Sequence, residues 1–289
     1  MSLPSAVLNS ASIPVRFVAD AERYKTLSTN ELRDSFLFTG LFQPGMAKLH
    51  CIDYDRSIIG GVMPLEEPVR LESDVRFMAT DYFMERREVG LFNIGGPGLV
   101  SVDGTPLNVN QRECLYIGKD HRDVVLESPD PSNPAKYFLA SYPAHTHYPV
   151  QQVRLGQHEP LRWGDETNCN KRVLHPLLNS ATAQTCQLTM GCTMLQPGSS
   201  WNTFPCHLHY RRSETYLYFD LDDDARVFHF LGTPSDTRHL VMKNEEAVFS
   251  PFWSVHYGAG TRRYSFLWAM GGENRDILNV DRVPIEDLR

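Results

Sequence analysis

Short apolar runs that end in turns restrict this chain more than any other feature. REVGLFNIGGPGLVSVDGTPLNV (87–109) alternates apolar and polar residues around Gly95-Gly96-Pro97-Gly98 and turns again at Asp103-Gly104. Asp-Gly between two apolar runs predicts a hairpin, because the tight turn needs residues that tolerate positive φ. ECLYIGK (113–119), DVVLES (123–128) and KYFLASY (136–142) continue the pattern. Later, TCQLTMGCTML (185–195) closes at Gln196-Pro197-Gly198, and TYLYFDL (215–221) closes at the acidic turn Asp222-Asp223-Asp224. ARVFHFLG, RHLVM, AVFSPFW and YSFLWAM follow. Helical periodicity is confined to AERYKTLSTNELRDSFLF (21–38), where Ser28 or Thr29 caps a turn beginning at Asn30. The pattern predicts an all-β chain of sandwich or barrel type with few short helices.

The two halves echo one another. ERREVGLFNI (85–94) resembles RRSETYLYFDL (211–221), each lying just before a turn. We read a duplicated barrel, residues 1–155 and 156–289, joined through the polar, aperiodic stretch 150–172. The net charge of −7, without a basic cluster, argues against nucleic acid and anionic membrane as partners. A local group of arginines would still suit a small anionic substrate. No stretch approaches the roughly 18 apolar residues needed to span a bilayer, and the N-terminal stretch lacks the pattern of a secretory signal. The six cysteines form no CxxC pair, so reduced thiols and a cytoplasmic location are expected.

PCHLHYRRSETYLYF (205–219) carries the chemistry. Residues i and i+2 of a strand face the same side, so His207 and His209 point together while Cys206 and Leu208 point away. Glu214 has the wrong parity for the same straight strand, and a turn near Arg211-Arg212 is needed to bring it to the histidines. His256, in SPFWSVHYGAG (250–260), supplies a third nitrogen. A second His-x-His pair, His145 and His147, has no carboxylate at a similar spacing and is not expected to bind metal. His50, His121, His158, His175, His229 and His239 are read as structural or surface residues. DLDDDAR (220–226) lacks the spacing of a calcium loop and reads as an acidic turn. Gly95, Gly96 and Gly98 are turn glycines, not a phosphate loop.

His-x-His-x4-Glu, followed by Pro-x-Trp-x-x-His, resembles the two metal motifs of the cupin superfamily, and the duplication then resembles a bicupin. Trp253 stands where many cupins have glycine, and is expected to narrow the approach to the metal. YFMERREVGLFNIGG (82–96), PGSSWNTFPCHLHYRRSE (197–214), HLVMKNEEAVFSPFWSVH (239–256) and the final EDLR resemble the 5-keto-4-deoxyuronate isomerase family, from about residue 23 onward. That resemblance implies a zinc-dependent, cytoplasmic, hexameric bicupin of pectin and uronate breakdown, with one Zn2+ per subunit. It implies interconversion of 5-dehydro-4-deoxy-D-glucuronate and 3-deoxy-D-glycero-2,5-hexodiulosonate, and it places the metal ligands on His207, His209, Glu214 and His256. Tyr210 and Ser213 depart from the family's usual glutamate and methionine, and are expected to alter substrate fit. Tyr82 and Met84 occupy the histidine places of the first barrel, where no metal is expected.

Three imidazoles and a carboxylate suit zinc, iron, manganese or nickel. For a ketol isomerisation, a bound ion would polarise the carbonyl and stabilise the enediolate. Glu214 is the candidate base, with a bound hydroxide as the alternative. Arg172, Arg211 and Arg212 are candidates for holding a substrate carboxylate, and Trp201, Asn202 and Thr203 for lining the pocket mouth. Two other readings stay open from residues alone: an iron or manganese dioxygenase using the same ligand set, and a non-catalytic sugar-acid-binding bicupin.

Overall fold

The computed structural model describes residues 13–289. The reading of the N-terminal stretch as lacking a signal falls largely on residues 1–12, outside the described residues. Strands dominate, and among the described residues α-helix is limited to Thr29–Phe36 and Val75–Met78. None of these helices is long and apolar enough to cross a membrane. The predicted N-terminal turn exists as a capping box: the Ser28 Oγ accepts from Glu31 N at 3.4 Å, and the Glu31 carboxylate accepts from Ser28 N at 2.8 Å.

The chain divides into two units, each built of a seven-stranded and a four-stranded sheet. In the first unit the larger sheet runs Val15–Arg16, Met46–Ile52, Ile58–Met63, Tyr137–Pro143, Arg87–Asn93, Glu113–Ile117 and Gln151–Arg154. The smaller runs Val69–Arg70, Val124–Glu127, Leu99–Val102 and Thr105–Asn108. Alternate residues of both sheets fill one apolar core, with Val89, Leu91, Leu115 and Leu139 from the first and Val100, Val102 and Leu126 from the second. The Asp103-Gly104 hairpin is present, with φ of 48° and 82° at its two central residues.

The second unit repeats the order: Leu161–Trp163, Arg172–Leu178, Thr189–Leu195, Ser265–Gly272, Arg212–Phe219, Glu246–Ser250 and Leu37–Phe38 in the larger sheet. Trp201–Asn202, Tyr257–Gly260, Val227–Thr233 and Asp236–Met242 form the smaller. Arg87–Asn93 and Arg212–Phe219 hold the same place in their respective sheets, which is the duplication heard in the sequence. At the place of Glu214 the first unit has Val89, part of its apolar core, and at the place of His209 it has the buried Met84.

The units do not follow the expected division at 155. The first comprises 13–16 and Phe42–Gln152, the second Phe17–Leu41 and Val153–Arg289. Residues 17–41 belong with the later barrel because their polar groups are satisfied there. Leu37–Phe38 pairs with Glu246–Ser250, the Tyr24 hydroxyl donates to Asp236 O at 2.7 Å, and Arg238 donates to Leu27 O at 3.0 Å. The stretch read as aperiodic also contains two edge strands, Gln151–Arg154 and Leu161–Trp163. All six thiols are free: Cys51, Cys114, Cys192 and Cys206 are buried, Cys169 is exposed and Cys186 half-buried.

Candidate metal site and its pocket

The alternation expected at 206–209 is observed. Cys206 and Leu208 pack into a cluster with Val255, Tyr257 and Val283, which leaves His207 and His209 to face the other way. The strand His207–Leu208 then ends, and a tight turn, closed by Arg212 N donating to His209 O at 3.1 Å, starts the strand Arg212–Phe219. That turn is what lets Glu214 reach the histidines. His256 arrives from the loop after Glu246–Ser250, with its neighbour Val255 in the same apolar cluster as Leu208.

The four side chains converge. The Nε2 atoms of His207 and His256 are 3.2 Å apart, and Glu214 Oε2 lies 3.1 Å from His209 Nε2 and 3.0 Å from His256 Nε2. His209, Glu214 and His256 are buried and His207 half-buried. Donor atoms of the three histidines all fall within 4.8 Å of one another. Two main-chain carbonyls orient the rings: His209 Nδ1 donates to Arg212 O at 3.0 Å and His256 Nδ1 to Ser254 O at 3.2 Å. A carbonyl can only accept, so each of these rings carries its proton on Nδ1 and turns a lone pair on Nε2 toward the Glu214 carboxylate.

Lone pairs and an anion packed together in a buried space require a positive charge among them. Protonating the imidazoles would supply it, but burial pushes His207 well below its usual pKa and lowers His209, and their imidazole neighbours add to the effect in His207. Burial also works against ionisation of Glu214. Only protonated His256 and His209 rings, or a cation in their place, would hold the carboxyl below the usual carboxylate range. Three of the donor separations, at 3.0–3.2 Å, match the about 2.9–3.4 Å expected between atoms bonded to one ion at about 2.0–2.1 Å. The residues therefore fit a divalent metal ion, with the Nδ1–carbonyl bonds in the role of supporting contacts.

His207, His209 and Glu214 form one wall of a cavity of about 600 Å³ in the second unit, a size that suits a small metabolite. Tyr216, two residues beyond Glu214 and on the same strand face, lines it, with its hydroxyl 2.9 Å from Thr203 Oγ1. Trp268, opposite Tyr216 in the neighbouring strand, donates from Nε1 to Thr193 Oγ1 at 3.2 Å. Arg172 also lines the cavity. Its guanidinium donates to Asn170 O at 2.8 Å, lies 5.8 Å from the Trp163 ring and has no carboxylate partner among the described residues, and burial lowers its pKa.

Several sequence expectations are corrected here. Trp253 does not narrow the pocket: it is buried against Tyr24, with ring centroids 4.9 Å apart, and against Phe36. Tyr210 and Ser213 are absent from the lining; Tyr210 is exposed beside Phe252, and Ser213 is buried on the opposite strand face from Glu214. Of Trp201, Asn202 and Thr203 only Thr203 lines the cavity, because Trp201 stacks on Phe230 and Asn202 donates to the Tyr264 hydroxyl at 2.8 Å. Arg211 is paired with Asp281 at 2.7 Å. Arg212, though at the cavity wall, spends its guanidinium on Asn274 O, Asp276 O and Asn279 O, at 3.0, 2.8 and 3.0 Å. Arg211 does not line the cavity, and both Nη atoms of Arg212 are engaged by main-chain carbonyls. His145 is exposed, and the exposed His147 donates from Nδ1 to Lys119 O at 2.7 Å. His229 is buried, with Nδ1 2.8 Å from the Tyr218 hydroxyl. The acidic turn is tied by Arg262, which bonds Asp222 and Asp224 at 2.7 and 2.8 Å.

A profile of the KduI/IolB family matches residues 47–285. The chain belongs to that family. Among its KduI/IolB relatives is the 4-deoxy-L-threo-5-hexosulose-uronate ketol-isomerase of Halalkalibacterium halodurans, 47% identical over 95% of this chain and 99% of the relative. The ketol-isomerase of the same name from Bacillus pumilus is 46% identical over 95% and 99%. An IolB-like protein from Salmonella typhimurium superposes with a TM-score of 0.65 at 14% identity, covering 83% of this chain and 94% of its own. Oxalate decarboxylase from Bacillus subtilis gives 0.53 at 11% identity, covering 76% and 69%. At these identities the structural likeness concerns fold alone, and the fold is an all-β bicupin of two jelly-roll barrels.

Sequence reasoning missed Tyr216 and Trp268. Tyr216 could have been found from its i+2 relation to Glu214. Trp268 required the strand pairing, which no local pattern prints.

Proposed function

We propose that this protein is a cytoplasmic, zinc-dependent ketol-isomerase, acting on 4-deoxy-L-threo-5-hexosulose uronate (5-dehydro-4-deoxy-D-glucuronate) and producing 3-deoxy-D-glycero-2,5-hexodiulosonate in pectin and uronate breakdown, as a homohexamer with one ion per subunit. The observation that carries the reading is the meeting of three imidazoles and one carboxylate at the wall of a metabolite-sized cavity that is also lined by the Arg172 guanidinium. The names borne by relatives at 42–47% identity favour it over a dioxygenase or a binding module.

His207, His209, Glu214 and His256 hold the ion. When bound, a divalent cation supplies Lewis-acid polarisation of a substrate carbonyl, which makes the neighbouring C–H acidic. The chain's own residues do the rest. Arg172 makes the cavity electropositive, which favours an acid over a neutral sugar, in a space where its own charge is only partly solvated. The aromatic faces of Tyr216 and Trp268 exclude water from the reacting carbons. The Tyr216 hydroxyl, hydrogen-bonded to Thr203, donates to substrate oxygen. Glu214, when not engaged by the ion, accepts the proton from one carbon and returns it to the next.

Glu214→Gln keeps the shape and removes the negative charge. It is expected to lower kcat by at least about 100-fold in an assay of uronate isomerisation, from the magnitude typical of a positioned acid or base. A variant turning over at the wild-type rate would remove Glu214 from the mechanism.

A further inference from the structure

The final short strand Asp281–Arg282 lies across the pocket's edge, antiparallel to His207–Leu208, with Arg282 directly opposite His207 and Asp281 opposite Leu208. Directly opposed residues of an antiparallel pair project on the same face. Leu208 faces the apolar cluster and His207 faces the donor set, so Arg282 rises on the donor side, and it lines the cavity. Its neighbour Asp281 projects the other way and pairs with Arg211 at 2.7 Å. Arg282 is exposed, and no ion pair or hydrogen bond occupies its guanidinium among the described residues.

The strand is held in place by a built support. Arg212, 1% exposed, donates to three carbonyls of the segment that leads into it, those of Asn274, Asp276 and Asn279. Val283 N donates to Cys206 O at 3.1 Å just beyond Arg282. An unpaired guanidinium is therefore carried on a fixed backbone at the edge of a cavity that has an ion-binding donor set beside it.

We propose that Arg282 is a specificity-determining residue that takes the carboxylate of the six-carbon sugar acid at the pocket mouth while the carbonyl end reaches the donor set. This rests on the isomerase reading above. Arg172 then contacts the substrate deeper in the cavity, and Arg282 sets the preference for an acid over a neutral sugar. A planar guanidinium suits a carboxylate bidentately, which an ammonium does not.

The test compares wild type, Arg282→Gln and Arg282→Lys by steady-state kinetics on the uronate, with inhibition constants for D-glucuronate and D-glucose, which differ only at C6. Bound metal is measured in each sample. The expected result is a KM raised about tenfold or more in Arg282→Gln, with kcat within about twofold, from the usual worth of a charge-assisted bond. Arg282→Lys falls between the two. The preference for glucuronate over glucose should shrink in Arg282→Gln while glucose inhibition stays constant, a split that general damage to the pocket would not produce. An unchanged KM and an unchanged acid preference in an active, metal-loaded Arg282→Gln would overturn the assignment of Arg282 and leave the isomerase reading standing. A wild-type protein loaded with metal but inactive on the uronate would overturn that reading, and this inference with it.

Discussion

His209 and His256 each use one ring nitrogen on a main-chain carbonyl and present the other to Glu214. This fixes tautomer and direction before any ion arrives, so the site is prepared by the protein rather than assembled by the metal. Each imidazole then matters individually. His256→Ala or His207→Ala is expected to lose bound metal and isomerisation together, because two imidazoles and a carboxylate form a poorer site. The apolar cluster behind them, Leu208, Val255 and Tyr257, is untouched, and circular dichroism should show the fold intact. A metal-free variant that still isomerises would refute the ligand assignment. At this scale the sequence was informative where spacing meets strand parity: His207, His209 and the turn needed for Glu214 follow from period two alone. Trp253, which looked like a gate, is instead a core residue, because residues 17–41 bring Tyr24 and Phe36 to it from far along the chain.

At the scale of elements, the strand Arg212–Phe219 organises the site. It carries Glu214 and Tyr216 on one face, and its partner Ser265–Gly272 places Trp268 opposite Tyr216. Next to that partner, Gly191 sits directly opposite Trp268, and a Cβ there would collide with the indole ring. The indole lies against the strand because residue 191 has no side chain. Gly191→Ala is expected to push Trp268 into the cavity and raise KM, with a stability loss of roughly 1–3 kcal/mol typical of overpacking. Thermal melts and kinetics check both. A variant with wild-type KM would show that Trp268 has room to move elsewhere. The strands themselves were legible from alternation and turn residues, as Asp103-Gly104 shows. Their pairing was not: Arg282 faces His207 across a strand pair that joins residues some seventy positions apart, and neither segment announces the other.

Among the described residues the chain is two copies of one strand order, of which only the later has the donor set. Val89 and Met84 stand in the first unit where Glu214 and His209 stand in the second, and both are buried in its apolar core. The internal resemblance of 85–94 to 211–221 made the duplication readable. The path of 17–41 into the second unit was not, since its amphipathic helix would suit either barrel by pattern alone. Burial of polar groups sets the pH response. Burial, aided by nearby His256, pushes His229 down to about 3, whereas an unfolded chain would titrate it near the ordinary value. The folded state thus favours the neutral ring, and its contribution is present in full above about pH 6.5 and is lost as pH falls toward 3. Replacing His229 by Gln is expected to flatten the decline of Tm between pH 6.5 and 4 relative to wild type. Parallel declines in the two proteins would show that other groups govern acid sensitivity.

The claim on which the account depends is that the four gathered side chains hold one catalytic divalent ion. Metal analysis of the purified protein, combined with a uronate isomerase assay before and after chelation and after adding back zinc, tests it most directly. About one zinc per chain, loss of activity on chelation and recovery on zinc addition are expected. Full activity in protein stripped of metal would contradict it.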